Sequence, residues 1–136
     1  MNVVSSILII GNFIVPQTEV VFFIDKAGNV LALEWMQKFP QDVQEKLIGV
    51  IRRLNEMGYE LRRPECDYLR DNIYELRVRL RSINYRLLYF YCQKRAVISH
   101  GLIKEDKVPP KEIDKAVFNK ILCERDSAKH TQSTNI

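Results

Sequence analysis

The sequence predicts a small α+β domain with a largely antiparallel sheet, an N-terminal helical hairpin and a C-terminal helix. Three observations predict it. A β-branched, aromatic run opens the body of the chain at Thr18–Asp25. Two helical stretches then flank Pro40. Three strand-like runs follow between Ile73 and Ile103, separated only by short polar stretches, before a final helical pattern.

Each element follows from local chemistry. The segment from Val3 to Val15 is apolar but shorter than the roughly 20 residues of a membrane-spanning helix. No positive region precedes it, so a secretory signal is not expected. We read residues 1–17 as an apolar extension, an extra strand or appended segment, with a membrane anchor as the second reading. After Thr18–Asp25, Gly28 and Asn29 supply a turn. A short helix spans Val30–Phe39, with Leu31, Trp35 and Phe39 facing inward, and Pro40 ends it. From Gln41 to Met57, Val43, Leu47, Val50, Ile51 and Leu54 recur at helical spacing, and Gly58 stops the run. Two helices with a short join make a helical hairpin. The stretch from Tyr59 to Asn72 is polar and irregular, with Pro64 excluding a central strand.

Strands at Ile73–Arg81, Tyr85–Cys92 and Ala96–Ile103 then form a meander. Pro110 suits the first residue of a last helix, whose N-terminal dipole end favours Glu112 and Asp114. The helices are expected on one face of the sheet. Residues 126–136 are polar and are expected to be a disordered tail.

Bulk properties bound the rest. A chain of 136 residues fits one domain, and 46% hydrophobic with 28% charged residues is ordinary for a globular protein. The net charge of +4 is unevenly spread. Arg62–Lys104 holds ten basic and four acidic residues, a net of +6, against 11 basic and 13 acidic elsewhere, a net of −2. A concentrated basic region attracts a polyanion, although a solvated charged face has the same composition. Cys66, Cys92 and Cys123 are widely spaced and odd in number. They give neither a disulfide framework nor a metal cluster, and fit a reducing cytoplasm.

The stretch YELRVRLRSINYRLLYFY, Tyr74–Tyr91, carries the most chemistry. Alternate strand residues share a face, so Leu76, Val78 and Leu80 point one way and Arg77, Arg79 and Arg81 the other. A four-residue loop at 82–85 would set Arg81 opposite Arg86 and put all four arginines on one face. A three-residue loop would turn Arg86 toward the apolar side. The cost of burying an unpaired guanidinium favours the four-residue loop. Like charges on one strand face repel, and a bound anion relieves that repulsion. The planar guanidinium fork suits phosphate, and the interleaved tyrosines suit either sheet packing or stacking on unpaired bases. Arg81, Tyr85, Arg70 and Arg95 are the candidate RNA contacts, Tyr85 being more readily structural.

This stretch, with ISHGLIKED and the Pro-Pro helix start, resembles the RelE/HigB superfamily of bacterial toxins, most closely its phage-derived Gp49-like HigB branch. The resemblance covers about Glu19 to Glu124, so a RelE-like domain is expected over residues 18–125. It implies the toxin of a type II toxin–antitoxin pair. Such a toxin cuts mRNA, commonly on the ribosome, by attack of a ribose 2′-OH on the adjacent phosphate, with no metal or other cofactor. Its implied partner is a helix-turn-helix antitoxin, and DNA is contacted only through that antitoxin.

Carried over by motif, Arg77 and Arg79 match the paired basic residues before the turn. Arg86, in NYRLLY, matches the arginine assigned to phosphate stabilisation, and Lys104, in HGLIKED, the basic residue at the end of the last strand. His100 is the one histidine in the expected domain. Its ordinary pKa near 6.5 suits a general base, whereas the strand parity it shares with Ile98 and Leu102 suits a structural sheet histidine. Glu105 and Asp106 stand where relatives carry a second lysine, which motivates an alternative reading as a non-catalytic homologue that binds RNA or antitoxin. A DNA-binding module would need a recognition helix that the sequence does not show.

Overall fold

The computed structural model describes residues 7–10 and 13–136. The elements are β1 Ile7–Ile10, β2 Phe13–Pro16, β3 Val20–Phe23, α1 Leu31–Met36, α2 Gln41–Met57, a 3-10 turn Gly58–Glu60, β4 Cys66–Arg70, β5 Ile73–Leu80, β6 Ile83–Cys92, β7 Arg95–Lys104, α3 Pro110–Arg125 and β8 Thr131–Ser133. The architecture is α+β, as expected. β1 and β2 pair antiparallel as a separate two-stranded sheet, so the strand reading of the extension holds for these eight residues. Residues 1–6 lie outside the described residues. Among the described residues no helix is long and apolar enough to cross a membrane.

The main sheet has six strands in the order β4-β5-β6-β7-β3-β8. All neighbours are antiparallel except β3 and β7, which run parallel with Val20 opposite Ala96. β3 is inserted beside the last meander strand, so the chain closes on itself through its first and last segments.

Apolar cores lie on both faces, which corrects the expectation of helices on one face. Val20, Phe22, Leu76, Tyr85, Leu87 and Tyr89 pack with α1 and α2. Val21, Phe23, Ile73, Leu88 and Phe90 pack with Ile113, Ala116, Leu122 and Cys123 of α3. Successive residues of β3 are all buried, as expected for a strand covered from both sides. The inward residues of α2 are those the periodicity selects, and each fully buried aliphatic side chain stabilises by about 1.5–3 kcal/mol. Gly58 ends α2 with φ of 54°, and a Cβ there would fall 2.2 Å from Thr18 Oγ1, so only glycine fits.

Two further expectations are corrected. The polar stretch after Tyr59 contains a strand, β4, which begins two residues past Pro64 and forms one edge of the sheet. The tail is ordered over its middle: Thr131–Ser133 pair with Phe23–Val21 as the opposite edge. Polar edge strands make little hydrophobic signal, because one flank faces water. His130, buried, stacks on Phe23 and donates from Nδ1 to the Ile24 carbonyl at 2.7 Å, which anchors the tail.

Candidate nucleic-acid interface

The site is built on the β5–β6 hairpin. Its turn has two residues, Arg81 and Ser82, with φ of 51° and 66°. This corrects the four-residue loop. Paired positive φ values make the tight hairpin turn whose twist matches the strands. Leu80 therefore faces Ile83, Arg79 faces Asn84, Val78 faces Tyr85 and Arg77 faces Arg86. Arg77, Arg79 and Arg86 share one face, as expected, but through a different register. Arg81 does not join them. It sits in the turn and pairs with Asp42 at 2.6 Å, both side chains exposed, and that contact holds the Asp42 carboxyl below its ordinary range.

The arginine face is also the α3 face. α3 covers the end of the sheet holding Leu88 and Phe90. The end nearer the turn forms a recess of about 360 Å³ bounded by Pro64, Glu65, Arg77, Arg79, Asn84 and Arg86. Arg77 is half-buried and Arg79 exposed, and Arg79 donates to Asn84 Oδ1 at 3.1 Å. No carboxylate pairs with either arginine among the described residues.

Arg86 is different. It is 4% exposed, with Nε 2.8 Å from Glu75 Oε1, and Glu75 is 2% exposed. The contact is close but poorly directed, since neither atom completes a hydrogen bond of ordinary angles. Nη1 donates to the Tyr85 carbonyl at 3.0 Å. Burial pushes the Arg86 pKa down, Glu75 opposes that, and the neighbouring Arg77 charge adds to the lowering. Lys104, opposite Asn84 on β7, brings Nζ to 4.0 Å from Glu75 Oε2. One buried carboxylate thus stands between two cations, one on each oxygen.

Sequence reasoning missed Glu75. A usable signal was present: Glu75 has the same strand parity as Arg77 and Arg79, so any face holding them holds it.

The remaining candidates lie elsewhere. Tyr85 is buried on the opposite face, edge-on to Phe39 and Trp35, and presents no ring to a base. Arg70 is tied to the start of α3 by Asp114 at 2.8 Å and the Pro110 carbonyl at 3.2 Å. Arg95 binds Ser127 and Thr131 at the far end of β7. It lies nine positions from Lys104, about 30 Å of strand. His100 is enclosed beneath α3, with Nδ1 2.8 Å from Ser99 Oγ and Nε2 3.0 Å from Glu112 Oε1. Burial, with the nearby Lys115 charge, lowers its pKa to about 4. Both nitrogens are engaged and the ring is 3% exposed.

The arrangement offers a concave cationic surface carrying Arg77, Arg79, Arg86 and Lys104, with Glu75 as a buried counter-charge and Glu65 at its wall paired instead with Arg53 of α2. It can bind an anion and stabilise charge that develops there. The family model described as phage-derived Gp49-like protein (DUF891) matches residues 34–120, more than half of the chain, and spans every residue of this surface. No curated protein matches the chain.

Proposed function

The chain belongs to this phage-derived Gp49-like family, a toxin family of the RelE/HigB type, and on that premise we propose that it is a metal-independent endoribonuclease toxin of the HigB branch. The observation that carries the reading is the convergence of Arg77, Arg79 and Arg86 on one recess beside Lys104.

In this reading the scissile phosphate of an mRNA strand occupies the recess. Exposed Arg79 and half-buried Arg77 capture and orient it. Arg86, held by Glu75 and the Tyr85 carbonyl, is pre-organised toward the charge that builds on the phosphorus oxygens. The ribose 2′ oxygen bonds to phosphorus, the bond to the 5′ oxygen breaks, and a 2′,3′-cyclic phosphate results. The proton lost by the 2′-OH is balanced by one gained at the 5′ oxygen. Arginine transfers protons poorly, because its pKa exceeds 12. With His100 enclosed, the protein's part is electrostatic and positional, and proton transfer falls to water or to groups of the ribosome. A cognate helix-turn-helix antitoxin would neutralise the toxin by covering this surface.

A second reading is a homologue that binds RNA or antitoxin without cutting. The acidic Glu105 and Asp106 after Lys104 favour it. Induced expression with transcript-end mapping separates the two. Cleavage predicts growth arrest and new 5′ ends that disappear in Arg77→Ala. Normal growth with an unchanged set of transcript ends would refute the nuclease.

A further inference from the structure

The opposite face of the same sheet edge carries a second recess, of about 650 Å³, within the range of small-ligand sites (about 300–1,000 Å³). Five tyrosines line it: Tyr59, Tyr68, Tyr74, Tyr89 and Tyr91. Three form its floor. Two stand at its rim with exposures unusual for large aromatic rings, Tyr59 at 62% and Tyr68 at 50%. Tyr59 is not loose. Its ring stacks on Tyr91 with centroids 3.8 Å apart and planes at 23°, and its carbonyl accepts a hydrogen bond from Arg62. Tyr68 is braced edge-on against Tyr74 at 5.1 Å. A rigid ring backed on one side and open on the other is a stacking platform.

We propose that this recess takes an unpaired nucleobase of the RNA strand whose phosphate lies on the arginine face, with Tyr59 and Tyr68 as the stacking rings. The proposal rests on the ribonuclease reading and specifies how the substrate is held beyond the scissile phosphate.

Two observations select a nucleobase as the occupant. The first is continuity. Arg62, Arg63 and Cys66 bound the tyrosine recess, while Pro64 and Glu65 bound the arginine recess, so one short segment separates the two. That segment is pinned where Arg77 N–H donates to the Glu65 carbonyl at 2.9 Å. Tyr74 lies three residues before Arg77 on β5 with its side chain on the opposite face, so an RNA strand joining the two recesses passes around the sheet edge at residues 62–66. The second is charge. At the rim Arg63 is paired with Asp67 at 2.8 Å, and Arg62 keeps its charge while Nη1 donates to the Tyr59 and Leu61 carbonyls, so the net charge there is positive and suits a phosphate entering with its base. The floor is neutral and largely apolar: burial raises the Tyr74, Tyr89 and Tyr91 pKa values, and the buried Tyr89 hydroxyl is taken up by Cys66 Sγ at 2.8 Å, which leaves ring faces for stacking.

The test is anisotropy titration of a labelled, uncleavable 2′-O-methyl RNA hexamer with the full chain, alongside hexamers carrying one abasic residue at successive positions. Tyr59→Ala and Tyr68→Ala should each weaken binding by about 5- to 100-fold, with the salt dependence unchanged. One abasic hexamer should show the same loss against the unaltered protein and no further loss against Tyr59→Ala. Tyr59→Phe should retain binding. If both alanine variants bind like the parent while Arg79→Ala weakens binding and flattens the salt slope, the nucleobase site is wrong and the phosphate face stands. If the alanine variants instead lose only antitoxin binding, the recess is a protein-docking site and the proposal fails. If the unaltered chain binds no hexamer, both readings fall.

Discussion

Removing the buried charge between Arg86 and Lys104 should cost more stability than removing both buried partners together. Glu75 and Arg86 are 2% and 4% exposed, 2.8 Å apart, with Arg77 directly across the strand pair from Arg86. In Glu75→Met, the Arg86 guanidinium loses its one nearby carboxylate while remaining beside a like charge. Breaking a buried pair by removing one partner costs about 3–5 kcal/mol, because the remaining ion stays desolvated and unpaired. For a domain of this length, that lowers the melting midpoint by about 10–20 °C. Arg86→Met should cost a similar amount by stranding Glu75, moderated by Lys104, whose Nζ is 4.0 Å from the other oxygen. The double variant Glu75→Met/Arg86→Met leaves neither orphan and adds apolar volume against Leu88. Replacing a buried ion pair by hydrophobic residues is commonly neutral or stabilising by about 1–4 kcal/mol.

The assay is urea unfolding of the four proteins, compared at constant slope. A coupling of several kcal/mol between the two sites is expected. If the single losses simply add, with coupling below about 0.5 kcal/mol, the pair is not an energetic unit and this account of the site is wrong. The double variant then serves function: folded but lacking Arg86, it should leave transcripts uncut on induction.

Three other outcomes follow from the same geometry. The folded-state pKa of His100 is about 4 against about 6.5 unfolded, so between these values the unfolded chain binds the extra proton. Its contribution is complete above pH ~6.5 and falls by about 3 kcal/mol as pH drops to ~4; urea midpoints across that window should fall accordingly and flatten in His100→Gln. A Cβ on Gly101 would lie 2.1 Å from Trp35 Cε3, so Gly101→Ala should cost about 1–3 kcal/mol and shift the emission of the single tryptophan. Arg79 is exposed, so Arg79→Ala should leave the melt unchanged while reducing the logarithmic salt slope of RNA binding by about one unit.

What the sequence discloses depends on whether the signal is local. The bounds of α2 are legible because Pro40 and Gly58 punctuate a clean apolar stripe. The hairpin turn is not, since Arg81 and Ser82 adopt left-handed φ values that Asn or Gly would advertise. β8 is stabilised by pairing with β3, distant in sequence, and its polar residues carry no strand signal. β4 instead pairs with the adjacent β5 across Asp71 and Asn72, a local turn obscured by the charged and irregular residues before it. The placement of α3 was legible in principle: four consecutive apolar residues, Val20–Phe23, need cover on both faces. Parity alone sets Arg77 and Arg79 on one face but wrongly adds Arg81 and leaves Arg86 to the loop length, and the same parity holds Glu75. His100 shows the reverse limit. Residue type suggests a base, while its burial against Ser99, Glu112 and the covering helix is set by contacts distant in sequence.

Glu75 explains how the sheet tolerates so many arginines and sets the limit of that tolerance. A strand pair that apposes Arg77 and Arg86 is electrostatically unfavourable. Arg86 is the one buried arginine of the set, so it alone needs an internal partner; Arg77 and Arg79 keep access to water. A second internal carboxylate would stabilise the free protein further but would compete with a phosphate for the same guanidinium groups. With Glu75 as the one buried carboxylate of the set, the cationic surplus of Arg77, Arg79 and Lys104 is available to an anion, whose binding must still displace the water around the exposed guanidinium groups. By linkage, an anion that binds this face should raise the melting midpoint with the logarithm of one plus the ratio of its free concentration to Kd. The rise should be largest in Glu75→Gln, where the anion takes over the role of the missing carboxylate.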